Sequence, residues 1–278
     1  MAVCLVTGTS SGFGLLIALE LARRGDTVVA TMRDTNKSGD LEAAAANDRL
    51  TVDVEQLDVT DDASVRACVE RVVAKHGGID VLVNNAGIGR LGPIEETADD
   101  EILDIFDTNV FGYVRVIRAV LPAMRAAGAG TIVNVTSIAG LVAVPFMGVY
   151  SASKAAVESF SVALHGELLP FGIRVVTVQP GAYQTAMAVS ADQMPRAHTA
   201  ESPYAARAAE VRRRHLASMA AQDNPQEVAD AVAAVIHDDL DVVQVIVPAS
   251  SEPIRGAAAN MPVLDFRAMV RGIYGIVD

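Results

Sequence analysis

Val3-Cys4-Leu5-Val6-Thr7-Gly8-Thr9-Ser10-Ser11-Gly12-Phe13-Gly14 starts as an apolar, β-branched run, breaks into a glycine-rich turn and leads into helical patterning from Gly12 to Arg24. A strand, a tight turn and a helix in that order bring backbone amides and the positive end of a helix dipole to one point, where a pyrophosphate can sit. The spacing is Gly-x-x-x-Gly-x-Gly. Glycine at such places lets the backbone turn sharply and approach a ligand closely. A strand-to-helix turn without a ligand uses glycine too, so the run alone leaves a purely structural turn open.

The alternation continues outward from this stretch. Thr27 to Thr31, Leu50 to Val54, Val81 to Val83, Thr131 to Val135, Ile173 to Val178 and Val242 to Val247 read as strands. Asp62 to His76, Asp99 to Ala126, Ser151 to Leu169 and Pro225 to His237 read as helices, and Ala43 to Ala46 as helix or loop. Strands apolar on both faces that alternate with helices predict an α/β fold: a doubly wound, mostly parallel seven-stranded sheet, Rossmann-like, with helices on both faces. No repeat or low-complexity linker divides the chain, so 1–278 reads as one domain. The stretch 183–223 departs from the rhythm, with Pro195, Pro203, Arg207 and Arg212-Arg213-Arg214, and reads as a substrate lid or as a surface helix pair.

At 278 residues and 51% hydrophobic, the chain can bury a sizeable core. A formal net charge of -12 and a pI near 4.8 oppose nucleic acid or an anionic lipid surface as partner. Ile138 to Val149 is apolar, but Gly140, Pro145 and Gly148 interrupt it and it is too short to span a bilayer, so no membrane partner is expected. Cys4 and Cys68 make no disulfide framework and the N-terminus lacks a basic n-region, which predicts a cytoplasmic protein. His76, His165, His198, His215 and His237 lack ligand spacing, and no metal is assigned.

Tyr150-Ser151-Ala152-Ser153-Lys154 puts a phenol and an ammonium one helical turn apart on one face. A free phenol has a pKa of about 10, and a neighbouring cation lowers it. A surface Tyr and Lys would show the same spacing. Ser137 follows the fifth strand, where the carboxyl ends of a doubly wound sheet open onto the ligand crevice; an ordinary turn serine is the other reading. Asn84-Asn85-Ala86-Gly87 ends the fourth strand, either as a turn-former or as amides that fix the loops around a ribose. Asp58 could cap the helix that starts near Asp62. Asn109 interrupts a long amphipathic helix, either solvated or functional, with Thr108 beside it.

The glycine run, Asn84 to Gly87, Ser137 with Tyr150 to Lys154, and Pro180-Gly181 after the sixth strand occur in the order found in one family: the chain resembles the short-chain dehydrogenase/reductases, in their single-domain branch. The resemblance implies an NAD(P)-dependent alcohol dehydrogenase or carbonyl reductase acting on a small-molecule alcohol or carbonyl compound. It implies that Ser137 holds the substrate oxygen, that Tyr150 is the general acid/base, and that Lys154 assists it and holds the nicotinamide ribose. Asn109 would bind a water of the proton relay. The implied cofactor site comprises Gly8, Ser10, Ser11, Gly12, Phe13 and Gly14, then Asp58 and Val59 beside the adenine. Asn85, Ala86 and Gly87 would line the cleft, with Pro180, Gly181 and Thr185 at the nicotinamide end.

Ala30-Thr31-Met32-Arg33-Asp34 carries no acid directly after the second strand, and Arg33 with Ser10 or Ser11 suits a 2′-phosphate. NADP(H) is therefore expected ahead of NAD(H), which remains the choice if Arg33 pairs with Asp34 or lies across the adenine. Leu141, Val142, Val144, Phe146 and Met147 suit a lipophilic alcohol or ketone. Family members form homodimers or homotetramers, and Val157, Phe160 and Leu164 either make that contact or face the sheet. Two other readings compete. A catalytically silent nucleotide-binding regulatory protein of this fold would be marked by a replaced Ser, Tyr or Lys; a sugar-nucleotide epimerase or dehydratase would have a longer chain and another glycine spacing.

Overall fold

The computed structural model describes residues 1–183, 201–220, 224–238, 240 and 242–273. Among these residues the strands are β1 (Val3–Thr7), β2 (Thr27–Met32), β3 (Asp53–Gln56), β4 (Val81–Asn84), β5 (Gly130–Val135), β6 (Ile173–Pro180) and β7 (Gln244–Val247). They form one sheet in the order β3-β2-β1-β4-β5-β6-β7, every pair parallel. Side-chain alternation explains the layers. Cys4, Val6, Val28, Ala30, Val81, Val83, Val133 and Val135 are buried on one face, and Leu5, Val29, Leu82 and Ile132 on the other. Strands with no polar face must be covered on both sides.

Helices α1 (Gly12–Arg23), α2 (Gly39–Asn47), α3 (Asp62–His76), α4 (Asp99–Phe106), α5 (Gly112–Ala127), α6 (Gly148–Leu168), α7 (Ala205–Ala220), α8 (Gln226–His237), α9 (Glu252–Asn260) and α10 (Val263–Ile273) follow the chain. Ile17 and Leu21 of α1, Leu41 of α2 and Val232 of α8 cover the first face; Val65 of α3, Val120 of α5 and Leu168 of α6 cover the second. Each such side chain, fully buried, contributes about 1.5–3 kcal/mol. β1 lies between β2 and β4, the point where the winding reverses, so the loops after β1 and β4 diverge and open a crevice at the carboxyl edge. No helix among the described residues is long and apolar enough to cross a membrane.

Several boundaries differ from the sequence reading. β3 runs Asp53–Gln56, pairing Val29 with Asp53 and Met32 with Gln56, whereas Leu50 and Val52 only pack beside it on the core. β7 starts at Gln244, and α6 starts at Gly148, before Ser151. The predicted single helix from Asp99 to Ala126 is two, α4 and α5, joined by a π turn over Asp107–Phe111. Val157, Phe160 and Leu164 face inward: Val157 is fully buried with Val110 and Tyr113, and Phe160 and Leu164 pack on the second core. Within the expected lid, Ala205–Ala220 is helical; 184–200 and 221–223, with Thr185, lie outside the described residues.

α6 is held to the sheet by polar contacts as well as apolar ones. Ser151, Ser153, Lys154, Glu158 and Ser161 are all buried on it. Asn84 Nδ2 donates to Asn134 Oδ1 at 2.9 Å, and Asn134 Nδ2 donates to Ser161 Oγ at 2.8 Å, which ties β4 through β5 to the helix. Asn134 is paired through both its amide atoms, whereas Asn84 Oδ1 is buried without a partner among the described residues, and a group left so costs about 1–3 kcal/mol.

Candidate active site

The floor of the crevice is a clasp between two loops. Gly8 (φ 72°) and Gly12 (φ 61°) take left-handed conformations that favour glycine. A Cβ on Gly8 would lie 2.8 Å from Ala86 Cα, so the turn after β1 rests directly on the loop after β4. Thr7 Oγ1 accepts from Asn85 N at 2.9 Å and Ala86 N at 3.1 Å, while Asn85 Nδ2 donates back to Thr7 O at 2.9 Å and Gly8 O at 3.1 Å. Thr9 fixes the turn from the other side, its N and Oγ1 both donating to Thr31 O. Ser11 at the start of α1 makes no side-chain cap, which leaves the first amides of the helix to a ligand.

Above this clasp lies a cleft of about 540 Å³. Gly8, Ser10, Ser11, Gly12 and Phe13 line it from the glycine turn, Arg33 from the end of β2, Asp58 and Val59 from beyond β3, and Asn85, Ala86 and Gly87 from beyond β4. Asp58 does not cap α3; Asp61 does, accepting from Ala63 N at 2.9 Å, and the Asp58 carboxylate accepts from Thr60 N and Oγ1 instead. Gly14 is not part of the lining. It is buried, with Gly8 O 2.2 Å and Asn85 Nδ2 2.5 Å from where its Cβ would be, so its part is to let α1 approach the turn.

Ser137, Tyr150, Lys154, Pro180 and Gly181 also lie off the lining, past its inner end. Gly87 connects the two parts: a Cβ there would be 3.7 Å from Lys154 Nζ and 3.2 Å from Asn109 Oδ1. Asn109 sits in the π turn with no exposed surface. Its Nδ2 donates to Ile88 O at 2.9 Å and Ser153 Oγ at 3.1 Å, and its Oδ1 accepts from Ile88 N at 2.8 Å. The amide thus pins Ile88 and Ser153 beside Lys154. Asn109→Ala would leave both polar groups of Ile88 without this partner, and we expect a loss of about 2–4 kcal/mol in urea unfolding; a loss below about 0.5 kcal/mol would contradict the pin.

Ser137 is extended, and its Oγ accepts from Ala139 N at 3.1 Å and lies 3.5 Å from Pro180 O. The turn that follows can press on α6 because Gly140 has no side chain: a Cβ would meet Lys154 C at 3.0 Å. Ser137 is thereby held against the helical turn that carries Tyr150 (6% exposed) and Lys154 (2%). Pro180 ends β6, and Gly181 N donates to Val247 O at 2.7 Å.

The electrostatics differ from the expectation of a lysine-acidified phenol. Lys154 Nζ donates to Val135 O at 3.1 Å and lies 5.9 Å from the Tyr150 ring centre and 5.4 Å from that of Tyr113. Burial pushes the Tyr150 phenol up to about 12, the hydrogen bond with Ser137 opposing it, and pulls the Lys154 ammonium down to about 8, the charge of Glu158 opposing that. Desolvation therefore outweighs the Ser137 hydrogen bond, and the phenol is held in its protonated, proton-donating form.

Sequence reasoning missed several residues here. Tyr113, fully buried on α5, donates its hydroxyl to Val135 O at 2.8 Å, the carbonyl that also receives Lys154. Tyr183 stacks edge-on against Phe13 at 5.6 Å and donates to Glu227 at 2.9 Å. Arg90 pairs with Glu101 and Asp104 at the cleft rim. The spacing carried a signal for two of the residues around Lys154: Tyr113 follows Asn109, and Glu158 follows Lys154, by one helical turn.

The family model for short chain dehydrogenases matches residues 2–196. Retinol dehydrogenase 8 of Bos taurus is 47% identical over 181 residues, covering 64% of this chain and 57% of that protein. Alignments with the first curated relatives span 57 to 66% of those proteins' own lengths. A solved short-chain dehydrogenase from Streptomyces avermitilis matches with a TM-score of 0.79 at 33% identity, covering 98% of both chains. Another from Burkholderia phymatum, in complex with NAD, matches with a TM-score of 0.78 at 25% identity over 91% of this chain and 90% of that one. Sheet order, glycine clasp and sequence match agree, and this chain belongs to the short-chain dehydrogenase family.

Proposed function

We propose that this chain is an NADP(H)-dependent oxidoreductase that interconverts a lipophilic secondary alcohol and its ketone, with Tyr150 as general acid/base. The observation that carries the reading is the meeting of a buried phenol, a buried ammonium and the Ser137 hydroxyl at the inner end of a cleft floored by backbone. A dinucleotide fits that cleft: the left-handed glycines bare the backbone, α1 offers uncapped amides, and a solved relative is in complex with NAD. When bound, the nicotinamide supplies or accepts the hydride. In the reductive direction Tyr150, kept protonated by burial, gives its proton to the carbonyl oxygen while Ser137 donates a hydrogen bond to the same atom. Lys154 stabilises the phenolate left behind, and the oxidative direction reverses each proton movement.

Arg33 supports NADP(H) over NAD(H): it is exposed on the cleft lining directly after β2, where no acid stands to repel a 2′-phosphate. Arg33→Ala should raise the KM for NADPH about tenfold and leave that for NADH within about twofold. Equal losses in initial-rate assays would remove the preference. The lipophilic substrate is supported by Leu91, Phe146, Met147 and Ala208, an apolar cluster that includes the two residues leading into α6, and by the relative named for retinol. Residues 201–220 act as the cover of that side within one catalytic domain. Tyr204 meets the Phe146 ring edge-on at 6.2 Å and bonds Glu95, and Ser202 Oγ donates to Glu96 at 2.7 Å.

Phe111 at the end of the π turn, Val162 on α6, and Leu169 and Phe171 just after α6 are exposed, which supports a homodimer or homotetramer and is checked by light scattering. The activity is tested by following NADPH and NADH absorbance against a panel of lipophilic ketones. Consumption with at least one ketone is expected, and none with either cofactor would overturn the proposal.

A further inference from the structure

We infer that Glu158 is the counter-charge that keeps Lys154 protonated, acting on the proposed reaction through that lysine. Tyr150, Lys154 and Glu158 recur every four residues, so they form one stripe along α6, and all three are buried. The Glu158 carboxylate is fully engaged by neutral donors from three strands or their ends. Thr136 Oγ1 and Thr177 Oγ1 (3.0 Å) donate to it, as does Gln244 Nε2 (3.0 Å). Neutral donors hold a carboxylate in place without cancelling its charge. Its field therefore reaches Lys154, one helical turn away on the same stripe.

The other groups that face Lys154 carry no charge to replace it. They are the phenols of Tyr150 on α6 and Tyr113 on α5, the Val135 carbonyl at the end of β5, Gly87 after β4, and the Asn109 amide in the π turn. Among the described residues Glu158 is the charged group that opposes the effect of burial on this lysine. Thr136, one residue before Ser137, joins the same carboxylate, so the device that charges the lysine also anchors the strand end that presents the serine.

The inference rests on the proposed function only for the importance of that charge to turnover; the charge itself can be read without turnover. The chain has three lysines, Lys37, Lys75 and Lys154, so lysine labelled at the ε-carbon gives three resonances, and Lys154→Arg identifies the third. We expect Glu158→Gln to lower the titration midpoint of Lys154 by about one pH unit or more. Thr177→Val removes a donor but no charge, and the midpoint should stay in place. Gln244→Arg sets a cation against Glu158 without removing it and should lower the midpoint as well, which keeps the test open should Glu158→Gln not fold.

The pH profile of NADPH-dependent reduction should follow. Its fall with rising pH, centred near 8 in the wild type, moves to lower pH in Glu158→Gln because the lysine loses its proton earlier. A Lys154 midpoint unmoved in both charge-changing variants overturns the inference. A moved midpoint with an unmoved rate profile upholds it and overturns instead the catalytic part proposed for Lys154.

Discussion

Tyr150→Phe should lower kcat by about a thousandfold or more while the affinity for the dinucleotide changes by less than about threefold. The substitution removes one oxygen and keeps the ring, so the buried packing beside Lys154 persists and the melting temperature should hold within a few degrees. What goes is the proton. Ser137 can still hold the substrate oxygen, but no other group described at that end of the cleft is both acidic and free: the Tyr113 hydroxyl is committed to Val135 O, and Lys154 donates to the same carbonyl. The charge developing on the substrate oxygen would have to be met by water. Stopped-flow or steady-state rates with the best ketone decide the matter, and activity within about tenfold of wild type would remove Tyr150 from the mechanism.

Gly14→Ala carries the second large effect, on the fold and with it on binding. The added methyl would sit 2.2 Å from Gly8 O and 2.5 Å from the Asn85 amide nitrogen. The first of these is backbone and cannot rotate away, so either α1 withdraws or the glycine turn opens. We expect a loss of about 3 kcal/mol in urea unfolding, the upper range for overpacking, together with loss of measurable dinucleotide binding. Gly39→Ala is the control: it opens α2, has nothing within 4 Å of its Cβ position and should change stability by no more than about 0.5 kcal/mol. Similar stabilities for the two variants would mean that the clasp yields more easily than its geometry implies.

Much of the fold was legible because the central strands advertise their place. A strand between two others and between two helical layers has to be mainly apolar, and β1, β4, β5 and β6 are, with a few buried polar residues such as Thr7, Asn84, Asn134 and Thr177 among them. β3 is an edge strand of Asp53, Val54, Glu55 and Gln56, none of them fully buried, so the hydrophobic signal lay in Leu50 and Val52, which only lead into it. The π turn escaped for a related reason: an extra residue in one turn shifts the phase of the apolar stripe, and a reading at 3.6 residues per turn passes over it. The same turn buries Asn109, which the sequence picked out without a means of telling a buried amide from a solvated one.

The site was legible as a set of residues and less so as an electrostatic environment. Spacing showed that Tyr150 and Lys154 share a helix face, but the sign of the phenol's shift depends on how much water is excluded, which spacing does not carry. Glu158 and Tyr113 stand at one-turn offsets from Lys154 and Asn109 but were not singled out, since nothing local distinguishes a buried polar side chain from a surface one. Gly14 was assigned to the cofactor site, and its close approach to Gly8 and Asn85 was not legible in the spacing. Ser137, Tyr150 and Lys154 are all present and grouped, so the site holds no observation that favours a silent nucleotide-binding protein.

Thr7 and Asn85 bind the two loops of the floor to each other through four hydrogen bonds, whereas residues 201–204 reach the rest of the molecule through surface carboxylates and one ring edge. The floor of the cleft and this outer segment are therefore fastened through separate contacts. Substitutions in the outer segment can accumulate without loosening the inner one.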